Sequence, residues 1–150
     1  MSYATLDDFK TRFSPIYAQL TDLSGGTTAD DTVGQARLDD AHGSVNVYLA
    51  ARFRTPVDVS VDASLAQALL SIVVPFAAWE CYLKHPLKSG KMRVGVEADY
   101  KEAKEKLLRI ADGRAALPGL VPLPAPESTG PAAEVFGDDG VFTSERMKGF

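Results

Sequence analysis

The chain has 150 residues, 45% hydrophobic and 24% charged, a length that suits one domain and an apolar fraction that excludes wholesale disorder. Sixteen Lys and Arg against twenty Asp and Glu leave a formal net charge of −4, which argues against a dedicated nucleic-acid binder. A single cysteine excludes an internal disulfide.

The opening residues, Met1 to Asp8, have neither the basic start nor the apolar run of a signal peptide. The chain then reads as helices. Thr5 followed by Asp8 is a capping pattern, and Leu6, Phe9 and Phe13 share one helical face behind it. Ser14-Pro15 opens a second short helical turn, with proline at its first position, carrying Ile16, Tyr17 and Leu20. Residues 21–31 form a polar loop with two glycines. Asp30 or Asp31 caps a longer helix over 31–53, striped by Val33, Ala36, Ala41, Val45, Tyr48, Leu49 and Phe53. Gly34 and Gly43 each weaken it by about 1 kcal/mol relative to Ala, so packing must carry it. Small residues there also permit close helix approach. Thr55-Pro56 ends the helix, because the residue before proline disfavours helical backbone.

The next helix starts near Asp62 or Ser64 and reaches Lys84. Leu65, Leu69, Ile72, Val73, Phe76 and Tyr82 require most of its circumference to be buried, and Pro75 is expected to kink it. Its most apolar run, Leu69 to Trp79, holds Ser71 and Pro75 and is expected to be too short to span a bilayer. A last helix covers 95–112, with Tyr100, Ala103, Leu107 and Ile110 inward and Glu97–Lys101, Glu102–Lys106 and Glu105–Arg109 on a solvated face. Asp112-Gly113 supplies a glycine cap.

Composition changes at residue 114. Positions 114–150 hold ten Pro and Gly in 37, against eleven in the first 113. Prolines 118, 122, 124, 126 and 131 forbid a helix, so Leu117 to Pro126 is expected to be extended. The fold class is therefore all-α: a small bundle of four to five helices over 1–113, with an extended Pro/Gly-rich C-terminal arm over 114–150. The arm is studded with apolar residues. Leu120, Val121, Leu123, Val135, Phe136, Val141, Phe142, Met147 and Phe150, with Arg146 among them, are the candidate partner-binding residues. An extended segment cannot bury these on itself, so the arm lies on its own bundle, lies on a partner, or stays unfolded.

Catalytic and metal chemistry finds little footing. Cys81 sits in the apolar helix and reads as a small buried residue, although His85 four positions on shares its face. Asp39, His42 and Ser44 lie on one helix, where closeness in sequence makes no triad. Two histidines and one cysteine give no zinc spacing. The loop from Asp22 fails as a calcium loop, with Thr27 at the sixth position and Val33 at the twelfth, and it lacks the Gly-Lys-Ser/Thr of a phosphate loop. Lys88, Lys91 and Arg93, beside Lys84 and His85, form a small basic cluster that could meet a phosphate or an acidic partner. A solvated loop is the plainer reading. No catalytic residue, metal or cofactor is assigned, and the expected class is a soluble intracellular protein or a virion component made inside a cell.

Four stretches carry a resemblance. Tyr3-Ala4-Thr5-Leu6-Asp7-Asp8-Phe9 precedes Leu20-Thr21-Asp22. A helix end, Val47-Tyr48-Leu49-Ala50-Ala51-Arg52-Phe53, leads into Thr55-Pro56-Val57. The chain closes Val141-Phe142-Thr143-Ser144-Glu145-Arg146-Met147-Lys148-Gly149-Phe150. In this order and spacing they resemble the small protein of the head-gene cluster of Mu-like phages and prophages, over residues 3–113 and the last ten. That family is similar to the head–tail adaptor (head-completion, connector) proteins of tailed phages. The resemblance implies an α-helical subunit of a ring beneath the portal, commonly of about twelve copies. Its implied partners are the portal protein, neighbouring copies of itself and the next neck or tail-completion protein. DNA would pass through the ring without specific binding, no membrane would be involved, and the site would be the virion neck. With no long heptad seam, the free form is expected to be a monomer that assembles on the portal.

Two other classes fit the residues. One is an intracellular interaction module whose Arg114 and Pro118–Pro126 arm binds a groove in a host protein. The other is a small ligand-binding or enzymatic helical domain using Cys81 and His85, or Tyr17, Tyr48, Tyr82 and Tyr100.

Overall fold

The computed structural model describes residues 2–84 and 90–124; of residues 91 and 92 it describes the backbone alone. Among the described residues there are five α-helices and no strand, the expected all-α class. They are α1 (Leu6–Arg12), α2 (Tyr17–Thr21), α3 (Asp31–Leu49), α4 (Ala63–Lys84) and α5 (Gly90–Ala111), with a 3-10 turn at Val59–Val61 before α4.

Local signals set most of the starts. The Asp8 N–H donates to the Thr5 hydroxyl at 3.2 Å, and the Thr5 N–H donates back to the Asp8 carboxylate at 2.8 Å, closing the capping box of α1. Asp30, not Asp31, caps α3, accepting from the N–H groups of Thr32 at 2.9 Å and Val33 at 3.1 Å. Ser14-Pro15 does not open α2. The Phe13 carbonyl accepts from both Ile16 and Tyr17, which makes 13–16 a turn and delays the helix to Tyr17.

α4 is the central element: α3 and α5 pack along it, and α1, α2 and the 3-10 turn also touch it. Every residue from Ile72 to Ala78 is buried, so the helix is covered all round at its middle. That explains a sequence so apolar, at about 1.5–3 kcal/mol per large side chain removed from water. The helix continues unbroken through Pro75. By length and composition α4 is long and apolar enough to cross a membrane, which corrects the expectation drawn from the shorter Leu69–Trp79 run. In the fold, ten of its residues are buried within the bundle.

α3 departs from its predicted stripe. Its buried residues are Gly34, Leu38, Ala41, Val45 and Leu49, whereas Ala36 is exposed and Val33 half-buried. The reason is Gly34. A Cβ there would stand 2.2 Å from the Tyr17 hydroxyl oxygen and 3.2 Å from Leu6 Cδ1, so α1 and α2 approach α3 over this glycine. Regular helix ends at Leu49 rather than 53. The chain then tightens, with the Arg52 and Phe53 N–H groups both donating to the Leu49 carbonyl, and Phe53 stays buried. Thr55-Pro56 is a cis peptide.

α5 begins at Gly90, five residues before the predicted start. Val96, Ala103, Leu107 and Ile110 are buried and Tyr100 is half-buried. All three predicted ion pairs form on its outer face: Glu97–Lys101 at 2.7 Å, Glu102–Lys106 at 2.6 Å and Glu105–Arg109 at 2.5 Å. Exposed pairs of this kind are worth a few tenths of a kcal/mol each and serve mainly to keep the face soluble.

Candidate partner-binding surface

The segment after α5 is built by two glycines in the left-handed region. Gly113, at φ +79°, reverses the chain, and a Cβ on it would meet the Arg52 guanidinium at 2.0 Å. Leu117 is then buried at 3% exposure in the bundle core. Gly119, at φ +71°, turns again beside Asp62 and Val61, and Leu120 packs half-buried on the core. The Leu123 N–H donates to the Arg52 carbonyl at 2.7 Å, which ties the segment to the end of α3. Through Leu123 the main chain of the arm therefore lies on its own bundle.

Beyond Leu120 the character changes. Val121 is 88% exposed and Leu123 48%, with Val61 59% exposed at the same end of the bundle. Of the candidate arm residues the structure describes Leu120, half-buried on the core, and Val121 and Leu123, both exposed. Val135, Phe136, Val141, Phe142, Arg146, Met147 and Phe150 lie outside the described residues. A groove of about 220 Å³ runs between α4, α5 and the returning segment, lined by Ala68, Ile72, Ile110, Leu117, Lys106 and Arg109 among others.

The basic cluster is resolved differently from a loop. Lys91 and Arg93 belong to the first turn of α5, and Arg93 is exposed and pairs with Glu97 at 3.5 Å. Lys88 and His85 lie outside the described residues. Lys84 ends α4 and reaches Asp40 of α3 at 3.6 Å.

The remaining candidates have structural employment. Cys81 is fully buried in the core. The Asp22 carboxylate is enclosed by its own loop: it accepts from the Ser24 N–H and hydroxyl at 2.8 and 2.6 Å and from the Thr28 N–H at 2.8 Å. The Ser24 hydroxyl first, then these amides, hold its pKa down at about 2. Those donors occupy both carboxylate oxygens, so the Asp22 loop is ordered by hydrogen bonds. Among the described residues no group of three His, Cys, Asp or Glu is placed to hold a metal ion. Tyr17 donates to Asp31 at 3.2 Å, and Lys10 pairs with the same carboxylate at 2.6 Å, which pins α1 and α2 to the start of α3. Burial first, then that bond to Asp31, raises the Tyr17 pKa well above its ordinary value.

Two features leave no mark in the local sequence pattern. Trp79 stacks between Tyr82 and Tyr100, with centroids 5.4 and 5.2 Å apart, forming a half-exposed aromatic ladder across α4 and α5. Spacing placed Tyr82 and Tyr100 on separate helices and gave no sign of the ladder. Tyr3 is buried, accepts from the Val57 N–H at 2.8 Å and donates to Asn46, although it precedes the first helix.

Comparison with known proteins accounts for the shared pattern. Gene product J of Escherichia phage Mu is 30% identical over an alignment that spans this whole chain and 99% of that protein. The family model described as Bacteriophage Mu, Gp36 matches residues 3–135, which includes 3–113 of the sequence resemblance and the proline-rich segment, while the last ten residues of that resemblance lie beyond the match. The chain belongs to the Mu Gp36 family of bacteriophage proteins.

Proposed function

We propose that the chain is a head–tail adaptor subunit of a phage virion, repeated as a ring below the portal, extending the DNA channel and joining head to tail. The observation that supports this most is the path of the arm. It packs Leu117 and Leu120 on its own bundle and is held there again by the Leu123 N–H on the Arg52 carbonyl, yet it leaves the Val121 and Leu123 side chains exposed, and the 26 residues after Pro124 include three phenylalanines. A ring subunit needs a rigid core, lateral surfaces and an apolar segment that can be buried on a neighbour; the helical body supplies the first two and the composition of the C-terminal segment suits the third.

The energetics favour assembly over isolated binding. Burying Phe136, Phe142 and Phe150 on a portal or a neighbouring subunit would contribute roughly 2 kcal/mol each before ordering costs. Proline lowers those costs by restricting the free state. Repetition around a ring multiplies a modest contact by raising effective concentration. The net charge of −4 suits a conduit that must not grip its phosphate cargo.

Deleting 132–150 tests the arm. The shortened protein is expected to fold and to leave heads without joined tails. Full particles with joined tails would contradict the role given to the arm.

A further inference from the structure

His42 stands in the middle of α3 and faces the first residues of the chain. Its Nε2 lies 3.2 Å from the Tyr3 nitrogen and 3.3 Å from the Ala4 nitrogen, with the Ser2 hydroxyl also at 3.3 Å. Two main-chain N–H groups aimed at one ring nitrogen fix its state. Nε2 must carry the lone pair, so the proton sits on Nδ1. The Tyr3 ring packs edge-on against the imidazole, centroids 5.6 Å apart. Tyr3 and Ala4 are buried at 4% and 2% exposure, so residues 2–4 form a strap laid across α3. The Tyr3 hydroxyl extends that strap to Asn46 on α3 and to the Val57 N–H before the 3-10 turn.

We infer that His42 is a proton-sensitive latch: protonation of Nε2 sets an N–H against two main-chain donors, and the Ser2–Ala4 strap, with Tyr3, is released from α3. The neighbouring charges are few. Asp39, one turn earlier on α3, favours the protonated ring, and the positive amino terminus opposes it. The strap itself contributes no charged side chain, and the Tyr3 phenol titrates above its ordinary value because of burial. Burial is also the largest influence on His42 and holds its pKa below the ordinary 6.5. The sign follows: the neutral ring holds the strap at full strength above pH 6.5, and the hold weakens as pH falls toward the lowered folded value. Release would take the Tyr3 hydroxyl away from the Asn46 side chain and the Val57 N–H.

The test is a nitrogen-15 NMR titration of the full chain. His42 is expected to titrate below 6.5, with its neutral form protonated on Nδ1. The protection of the Tyr3 and Ala4 amides is expected to fall about tenfold or more as the ring titrates. His42→Gln keeps a carbonyl acceptor and removes the titration, so protection of those two amides is expected to lose its pH dependence. A His42 pKa at or above 6.5, or Tyr3 and Ala4 protection unchanged through its titration, overturns the latch. The wild-type titration decides the matter even where the variant fails to fold.

Discussion

Gly34 and Tyr17 meet so closely that a Cβ on the glycine would stand 2.2 Å from the phenol oxygen and 3.1 Å from the ring carbon bearing it. This contact lets α2 lie against α3 while Tyr17 reaches Asp31. Gly43, nine residues on in the same helix, has nothing within 4 Å of its missing side chain.

The two glycines therefore predict opposite outcomes. Gly34→Ala improves helix propensity by about 1 kcal/mol but must displace Tyr17, so a net loss of about 1–3 kcal/mol is expected. Gly43→Ala meets open space and is expected to stabilise the isolated chain by about 0.5–1 kcal/mol. Urea denaturation of both variants checks the pair. Equal effects would contradict the geometry.

The contrast also shows what the sequence made legible. Capping residues and helical apolar spacing are local, so Thr5–Asp8, a cap at Asp30 or Asp31, the inward face of α4 and the ion pairs of α5 are readable in the sequence. The phase of α3 was not, because it is decided by which element crosses it, and only the folded chain shows Tyr17 over Gly34. The same limit hid the Trp79 ladder and the Tyr3 strap, both made by residues far apart in sequence. The start of α5 was missed because Gly90 and Gly95 resemble loop punctuation. The helix tolerates both, with nothing crowding either position. At the arm, composition gives Pro and Gly but not the seat: only the structure separates the packed Leu117 and Leu120 from the exposed side chains of Val121 and Leu123.

That division predicts a step in stability. Leu117→Ala removes a side chain that is 3% exposed and is expected to cost about 2–3 kcal/mol. Truncation after Gly113 should cost at least as much. Truncation after Pro124 keeps Leu117, Leu120 and the Leu123–Arg52 hydrogen bond and is expected to leave bundle stability within about 0.5 kcal/mol of the full chain. Thermal denaturation of the three variants orders them. A bundle insensitive to the Leu117 change would refute the seat.

The Asp22 loop predicts a response to acid. Its carboxyl is held at about 2 against an ordinary 3.8, chiefly by the Ser24 hydroxyl, so the folded state favours the charged form. Its contribution is complete above pH 3.8 and is lost as pH falls toward 2. Asp22→Asn is expected to destabilise the chain at neutral pH and to flatten the dependence of stability on pH in that window. Denaturation midpoints at several acidic pH values measure both effects. An unchanged slope would show that the Asp22 carboxylate does not hold the loop.

The acidic balance predicts indifference to DNA. The isolated subunit is expected to show no salt-sensitive binding to duplex DNA in a fluorescence anisotropy titration. A steep fall of affinity with rising salt would count against a conduit that lets DNA slide through.

The most direct measurement is electron microscopy with mass photometry of the full chain, alone and mixed with the portal protein of the same phage. An adaptor subunit is expected to be a monomer alone, to form closed rings seated on the portal when mixed, and to form no such rings when 132–150 is deleted. A chain that ignores the portal, or whose deletion variant decorates it equally well, would contradict the adaptor reading.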